Sequence, residues 1–262
     1  IVPTAVAATQ QSGASGVEFL RSIVVGYEVV CRIASSLEWA AQKQIATGHW
    51  SSFGAASLLG WLNKTDAGTL SDAFAVCTAL RPYVYAPDDN LNLNGIKEGV
   101  AWGTFAGVSA FEFANYGLTG PKNCLDPKLF RGEAILKGLP ETWAINEVMV
   151  KPYSSCSCTH TPIDALLQLM KEHGFTARDV RRVVVTTYPL AVEHINNDAH
   201  PQTLEAAQYN IPFTLAVAAV DGVRALYPIK STASRRVDLV DFARKVEVKI
   251  GERSRGDLRQ FY

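Results

Sequence analysis

The sequence predicts an α-rich two-domain chain, all-helical in its first part and mixed α+β in its second, on three observations. From Val17 onward, apolar residues recur at helical spacing through Leu20, Val24, Tyr27, Cys31, Ala34 and Leu37. After about residue 140 the composition shifts, with a β-branched run over 180–187 and clean alternation over 246–250. The chain is 262 residues long, 48% hydrophobic and 19% charged, enough to build a sizeable soluble core. We place the boundary so that the helical domain covers 1–141 and the α+β domain covers 142–262.

Each element has its own signal. Ser51 or Ser52 can cap a helix running through Ala55, Leu58, Leu59 and Leu62. Thr69 or Ser71 can start the next, with Phe74, Cys77 and Ala79-Leu80 inward and a stop at Arg81-Pro82. After Lys97, Gly99, Gly103 and Gly107 fall four apart, with Ala106 and Ala110 beside them. Glycine weakens a helix, so this smooth stripe predicts close approach of a neighbouring helix or a ligand. Asn115-Tyr116-Gly117 and Gly120-Pro121 end that helix. Residues 147–151 read as a strand. Thr161-Pro162-Ile163-Asp164 reads as a helix start with Thr161 as cap, and the helix runs to Gly174. Residues 203–226 look helical, interrupted at Pro212. The second domain is therefore strand–helix–strand–helix–strand.

Composition also excludes. The 25 basic and 25 acidic residues balance, and no basic stripe of the kind that marks a nucleic-acid binder is present. A neutral total still permits a locally positive pocket. No apolar run reaches membrane-spanning length, and the first residues lack the basic region of a signal peptide. Five scattered cysteines argue for reduced thiols and a cytoplasmic setting. The chain has neither an initiator methionine nor an evident terminating signal, which predicts that both ends are cut. There is no Gly-rich phosphate loop, G-x-S-x-G elbow or H-E-x-x-H, so ATP, NAD and zinc-protease chemistry lack support.

What remains is a set of ionisable residues at helix starts: His49 after Gly48, Lys97, and the segment from Lys151 through Tyr153 to His160. Helix N-termini expose unpaired N–H groups and carry partial positive charge, so they hold anions. Two histidines and two lysines at such ends suit a substrate with several carboxylates. A positive helix end disfavours the imidazolium, so His160 should stay neutral and basic; the competing reading is a histidine that merely bonds its loop. His49, Lys97 and Lys151 each also read as ordinary surface groups when taken alone. Cys156 and Cys158 would share a face with His160 on an extended segment, but their spacing is not that of a zinc site, and we read them as small loop residues. His173 sits near a helix C-terminus and reads as structural. His194 and His200 read as part of a solvated loop.

Several segments, in order, resemble the MmgE/PrpD family. They are Gly26-Tyr27-Glu28-Val29, Gly48-His49 leading to Phe53-Gly54-Ala55-Ala56, and Ile96-Lys97-Glu98-Gly99-Val100-Ala101-Trp102. Gly117-Leu118-Thr119-Gly120-Pro121 follows, then Lys151-Pro152-Tyr153 through Thr159-His160 to Ile163-Asp164-Ala165. The stretch from Glu205 to Phe213 and the pair Asp221-Gly222 extend the likeness over nearly the whole chain. The family includes 2-methylcitrate dehydratase, cis-aconitate decarboxylase and iminodisuccinate epimerase. The resemblance implies an all-helical domain plus a smaller α+β lid domain, a homodimer, no metal or other cofactor, and small di- or tricarboxylate substrates. It implies His49, Lys97 and His160 as catalytic residues, with Ser51, Ser52, Lys151 and Tyr153 binding substrate.

The sequence also departs from the family pattern. Members carry a His- and Asp-containing segment upstream of the position of Ile1, and a return to the helical domain after the lid. Trp50-Ser51-Ser52 replaces a commoner small or threonine-rich version, and Val100 stands where some members have histidine. Decarboxylase-like members carry a tyrosine near Phe213, and phenylalanine cannot donate a proton. The expectation is a carbon–oxygen lyase most like 2-methylcitrate dehydratase, using one histidine to take the α-proton. The alternatives are an epimerase, isomerase or decarboxylase on a related carboxylate, and an inactive fragment or non-catalytic binding protein.

Overall fold

The structure, a computed structural model, describes residues 1–37, 47–80, 97–125, 130–193 and 195–251. The expected stop at Arg81-Pro82 and His194 lie outside the described residues. The chain divides into two compact units, Ile1–Tyr85 with Glu98–Met149, and Ala86–Lys97 with Val150–Tyr262. It is α-rich, with one small two-stranded sheet. No helix among the described residues is long and apolar enough to cross a membrane.

The first unit is helical: α1 (Val2–Ser12), α2 (Gly16–Ser36), α3 (Gly48–Leu62), α4 (Ala67–Leu80), α5 (Val100–Asn115) and the short α6 (Gly132–Leu136). Helix α2 opens with a capping box in which the Ser15 side chain accepts from the Glu18 N–H and Glu18 accepts from the Ser15 N–H. Its apolar stripe is helical as expected, yet Val17, Leu20 and Val24 face outward while Gly26, Ile33 and Ser36 are buried. In α4 the predicted inward face is half right: Cys77 is buried, but Leu80 is exposed at the helix end. Phe53, Leu58, Ala73, Cys77, Ala110 and Phe111 form the centre of this core.

The glycine stripe on α5 is explained by α3. A Cβ on Gly103 would collide with the Gly48 carbonyl and Ser51 Oγ, and one on Gly107 with the Ser52 carbonyl. The stripe therefore lets two backbones touch, which answers the choice between helix and ligand. On the opposite face Trp102, Phe105, Phe113 and Tyr116 are exposed. Gly107→Ala should lower the thermal midpoint of the first unit although alanine is the better helix former, because overpacking costs about 1–3 kcal/mol against a propensity gain of about 1 kcal/mol. An unchanged or raised midpoint would show that the two helices can move apart freely.

Helix α2 is tied to the segment after α6 by a buried ion pair. Arg32 Nε donates to Glu28 Oε1 at 2.5 Å. The guanidinium also donates to the carbonyls of Ile135, Lys137 and Thr142 at 2.8, 2.8 and 2.7 Å. The second oxygen of Glu28 accepts from Ile145 N–H at 2.9 Å.

The predicted strand over 147–151 does not form. Residues Ala144–Glu147 make a 3-10 turn and the next residues run without a ladder partner, with Met149 and Val150 fully exposed. Apolar alternation alone cannot make a strand without a neighbour to pair with.

The second unit contains α7 (His160–His173), β1 (Val183–Thr187), α8 (Pro189–Glu193), α9 (Leu204–Gln208), α10 (Ile211–Asp221), α11 (Val237–Ala243) and β2 (Val246–Ile250). The strands pair in parallel, Val183 opposite Val246 through Thr187 opposite Ile250, with Val183, Val185, Val246 and Val248 packed on the core. The helical stretch is interrupted beside Pro212 as expected, between Gln208 and Ile211. Thr203 caps α9, and Asn210 caps α10 through its Oδ1 on Phe213 N–H at 2.7 Å, which places Pro212 in the first turn where its missing N–H costs nothing.

Candidate functional site

Of the predicted site residues, His49, Ser51 and Ser52 lie in the first unit, and Lys97, Lys151, Tyr153 and His160 in the second. In the second unit, the chain from Lys151 to His160 folds back on itself before entering α7. Ser154 N–H donates to the Leu226 carbonyl at 3.2 Å, and Cys156 N–H to the Gln208 carbonyl at 2.8 Å. Residues Ser157–Thr159 make a 3-10 turn. Helix α7 then begins at His160, two residues earlier than the Thr161 cap predicts. Thr159 occupies the cap position but its hydroxyl is engaged by Ser155 Oγ and the Cys156 carbonyl, at 2.7 and 2.8 Å. Pro162 is tolerated there because N–H groups in the first turn have no partner within the helix.

His160 is half-buried and its Nε2 lies 3.2 Å from the Ser155 carbonyl. A carbonyl only accepts, so Nε2 carries the proton and the basic lone pair is on Nδ1. Tyr153 stands edge-on to the imidazole, centroids 5.1 Å apart and planes at 81°. Burial, with a smaller contribution from the nearby Lys151 charge, lowers the His160 pKa below its ordinary value. The direction is the one expected, and the chief cause is loss of solvent.

Tyr153 is itself buried, and its hydroxyl donates to the Asp164 carboxylate one turn into α7. Burial first, then that bond, pushes its pKa up to about 12, so it stays a neutral phenol. Lys151 is exposed, with its ammonium 3.4 Å from the Ser155 carbonyl. The cluster thus offers a neutral imidazole, a cation and the positive end of a fourteen-residue helix.

In the first unit, α3 starts at Gly48, three residues ahead of Ser51 and four ahead of Ser52, the predicted caps, which puts His49, Ser51 and Ser52 within its opening turns. His49 is buried at 5% exposure. Ser51 Oγ donates back to the Gly48 carbonyl at 3.1 Å. Ser52 is fully buried beside the Cys77 thiol, whose pKa burial pushes up to about 12. Lys97, the last residue of a stretch that belongs to the second unit, opens a 3-10 turn, Lys97–Gly99, that leads into α5. Within that turn Glu98 accepts a hydrogen bond from Thr47 Oγ1, and a Cβ on Gly48 would collide with the Gly99 carbonyl. Both Glu98 and Gly99 have left-handed backbones, φ 56° and 65°, which glycine adopts readily and glutamate rarely. Such strain is held where the surroundings over-determine it.

Asp164 and Ser155 were missed as functional partners by the sequence. Asp164 had a signal, its place four residues after His160 on one helix face; a backbone carbonyl such as that of Ser155 has none. Among the described residues no three His, Cys, Asp or Glu side chains gather as metal ligands, so the Cys156–Cys158–His160 face does not form a three-ligand group. An open cavity of about 510 Å³ beside the start of α4 contains one cation, Lys122. Lys122 is bonded to Asp72 at 2.6 Å, and the cavity gathers no acid–base groups.

Residues 1–139 match the MmgE/PrpD N-terminal domain, and residues 153–257 match the MmgE/PrpD C-terminal domain. A search of curated proteins finds no match. The two matches run in the family's order and together span nearly the whole sequence: the chain belongs to the MmgE/PrpD family.

Proposed function

We propose that this protein is a carbon–oxygen lyase acting on a small di- or tricarboxylate, most like 2-methylcitrate dehydratase, and that it works as a cytoplasmic homodimer. The observation that carries this is His160: a neutral imidazole with a defined tautomer at the start of α7, beside the Lys151 ammonium. In the proposed mechanism Lys97 and Lys151 hold the substrate carboxylates, Lys151 with the N–H groups that open α7. They also stabilise the enediolate-like charge that develops when the α-proton leaves. His160 Nδ1 takes that proton. His49 protonates the departing hydroxyl, which leaves as water. We assign Ser51 and Ser52 to substrate binding on the family resemblance alone, and Tyr153 contributes through the ring that stands edge-on to His160.

Phe213 favours dehydration over decarboxylation, since it is fully buried in α10 and has no proton to give. The test is to incubate the protein with citrate, 2-methylcitrate, cis-aconitate and related acids and follow substrate mass. Loss of one water supports the reading. Inversion at unchanged mass would make it an epimerase, and loss of carbon dioxide a decarboxylase. No conversion, together with no thermal stabilisation by any acid, would leave a non-catalytic protein, because only a ligand of the folded state raises stability.

A further inference from the structure

Helix α5 carries an apolar face for which the lyase chemistry has no use. Trp102, Phe105, Phe113 and Tyr116 are 60%, 67%, 46% and 87% exposed. The other sides of the helix, where Gly103, Ala106, Gly107, Ala110 and Ala114 are buried, are taken by α3 and α4. Aromatic side chains can bury about 150–250 Å² each, so the four rings leave on the order of 500 Å² of surface uncovered. That is the upper part of the range, about 300–600 Å², that the largest apolar patch on a monomer reaches.

The order of the rings along the helix is symmetrical. Trp102 and Tyr116 stand seven residues either side of Ser109, and Phe105 and Phe113 stand four either side. At about 100° per residue, four steps and seven steps both return to within about 40° of the starting direction, so the four rings and Ser109 share one stripe. Tyr116, the residue that caps the helix, still follows its path, because its N–H donates to the Glu112 carbonyl at 3.0 Å. Turning the helix end for end therefore lays the stripe on itself, ring on ring.

We infer that this face is the contact between two copies of the chain, with their α5 helices packed antiparallel across a two-fold axis at Ser109. In a two-fold contact residue i meets j and j meets i. Trp102 of one protomer then meets Tyr116 of its partner, and Phe105 meets Phe113, aromatic pairs that can pack edge-to-face or offset. The half-buried Ser109 supplies the small side chain that the crossing point needs, where packed helix axes approach to about 8–10 Å. Glu112, the sole charged residue on α5, lies three residues from the axis, so the two carboxylates stay at least about 9 Å apart along the helices. The rings supply most of the roughly 800 Å² per partner that a standard interface buries, and Ala101 and Glu112, exposed on the flank, add to it. The contact gives a surface to the homodimer proposed above and rests on that part of the reading, not on the lyase chemistry.

The test measures the mass of the full chain in solution by analytical ultracentrifugation. Wild type should be a dimer at micromolar concentration. Phe105→Glu should raise the dimer Kd by at least about thirtyfold, the effect of losing one hot spot, with an unchanged circular dichroism spectrum because the ring is exposed. Ser109→Cys, mildly oxidised, should give a disulfide between two chains at position 109, told apart from links at the five native cysteines by peptide mass. A mixture of Trp102→Cys and Tyr116→Cys should link 102 to 116 and neither position to itself, because like positions then lie about 21 Å apart along the helices. A wild-type monomer would give the face to another protein or to another part of the same one, and would overturn both this contact and the homodimer. A dimer that Phe105→Glu leaves intact, or one without a link at position 109, would overturn the contact alone and move the homodimer to a different surface.

Discussion

His160→Ala and Lys97→Ala each lower kcat/KM for the carboxylate substrate by at least about a hundredfold, the lower range for removal of a general base or of a cation facing developing charge. The two should differ in kind. Loss of His160 lowers kcat, because the imidazole acts only as the proton leaves. Loss of Lys97 raises KM as well, because its charge holds the ground-state carboxylate. His160 also sets the acid limb of the pH profile. Its pKa is lowered and it acts as the neutral base, so activity should persist below the ordinary histidine value of about 6.5 and fall only at a lower pH. Steady-state kinetics across pH, with circular dichroism to show that each variant is folded, checks all of this. Wild-type rates in His160→Ala would remove the base from the scheme.

Glu28→Ala destabilises the first unit by about 3–5 kcal/mol, the cost of breaking a buried ion pair, a large share of a typical net stability of about 5–15 kcal/mol. The variant leaves the buried Arg32 guanidinium without its counter-charge and Ile145 N–H without its acceptor. Glu28→Gln keeps a carbonyl for Ile145 and should lose less. Burial raises the Glu28 pKa, and the bonds from Ile145 and Arg32 reverse that shift, so the carboxyl sits below its ordinary value. A depressed carboxyl stabilises the fold above its unfolded pKa, and the stabilisation is lost as pH falls through the folded pKa. Wild type should therefore show an acid-sensitive urea midpoint, and Glu28→Ala a flatter one. Equal midpoints for Glu28→Ala and wild type at neutral pH would show that the three backbone carbonyls alone satisfy Arg32.

Periodicity and punctuation carried much of the architecture. The spacing from Val17, the Gly174 stop and the alternation at Val246–Ile250 all correspond to elements that formed. What pattern could not say is which side of α2 faces the core, because Val17, Leu20 and Val24 are apolar yet outward. Nor could it see that residues 147–151 lack a strand to pair with, since pairing is a property of the whole fold. Pro212 marked a break in the helical pattern, but the pattern did not say that the break is a cap at Asn210 opening a new helix. At the candidate site the titratable residues were legible as helix-start groups. Their fine placement was not: Thr159 spends its hydroxyl on Ser155 and Cys156, which shifts the start of α7 to His160 itself. The Glu28–Arg32 network was equally hidden, because three of its acceptors are backbone carbonyls more than a hundred residues away in sequence.

The most direct measurement is deuterium exchange into recovered substrate when the protein turns over its carboxylate in heavy water. A base that removes the α-proton and shares it with solvent returns deuterium to that carbon. Wild type should label the substrate at the carbon beside a carboxylate, and His160→Ala should label it at least about a hundredfold more slowly. Labelling at the wild-type rate without His160, or substrate conversion with that carbon–hydrogen bond untouched, would contradict the account.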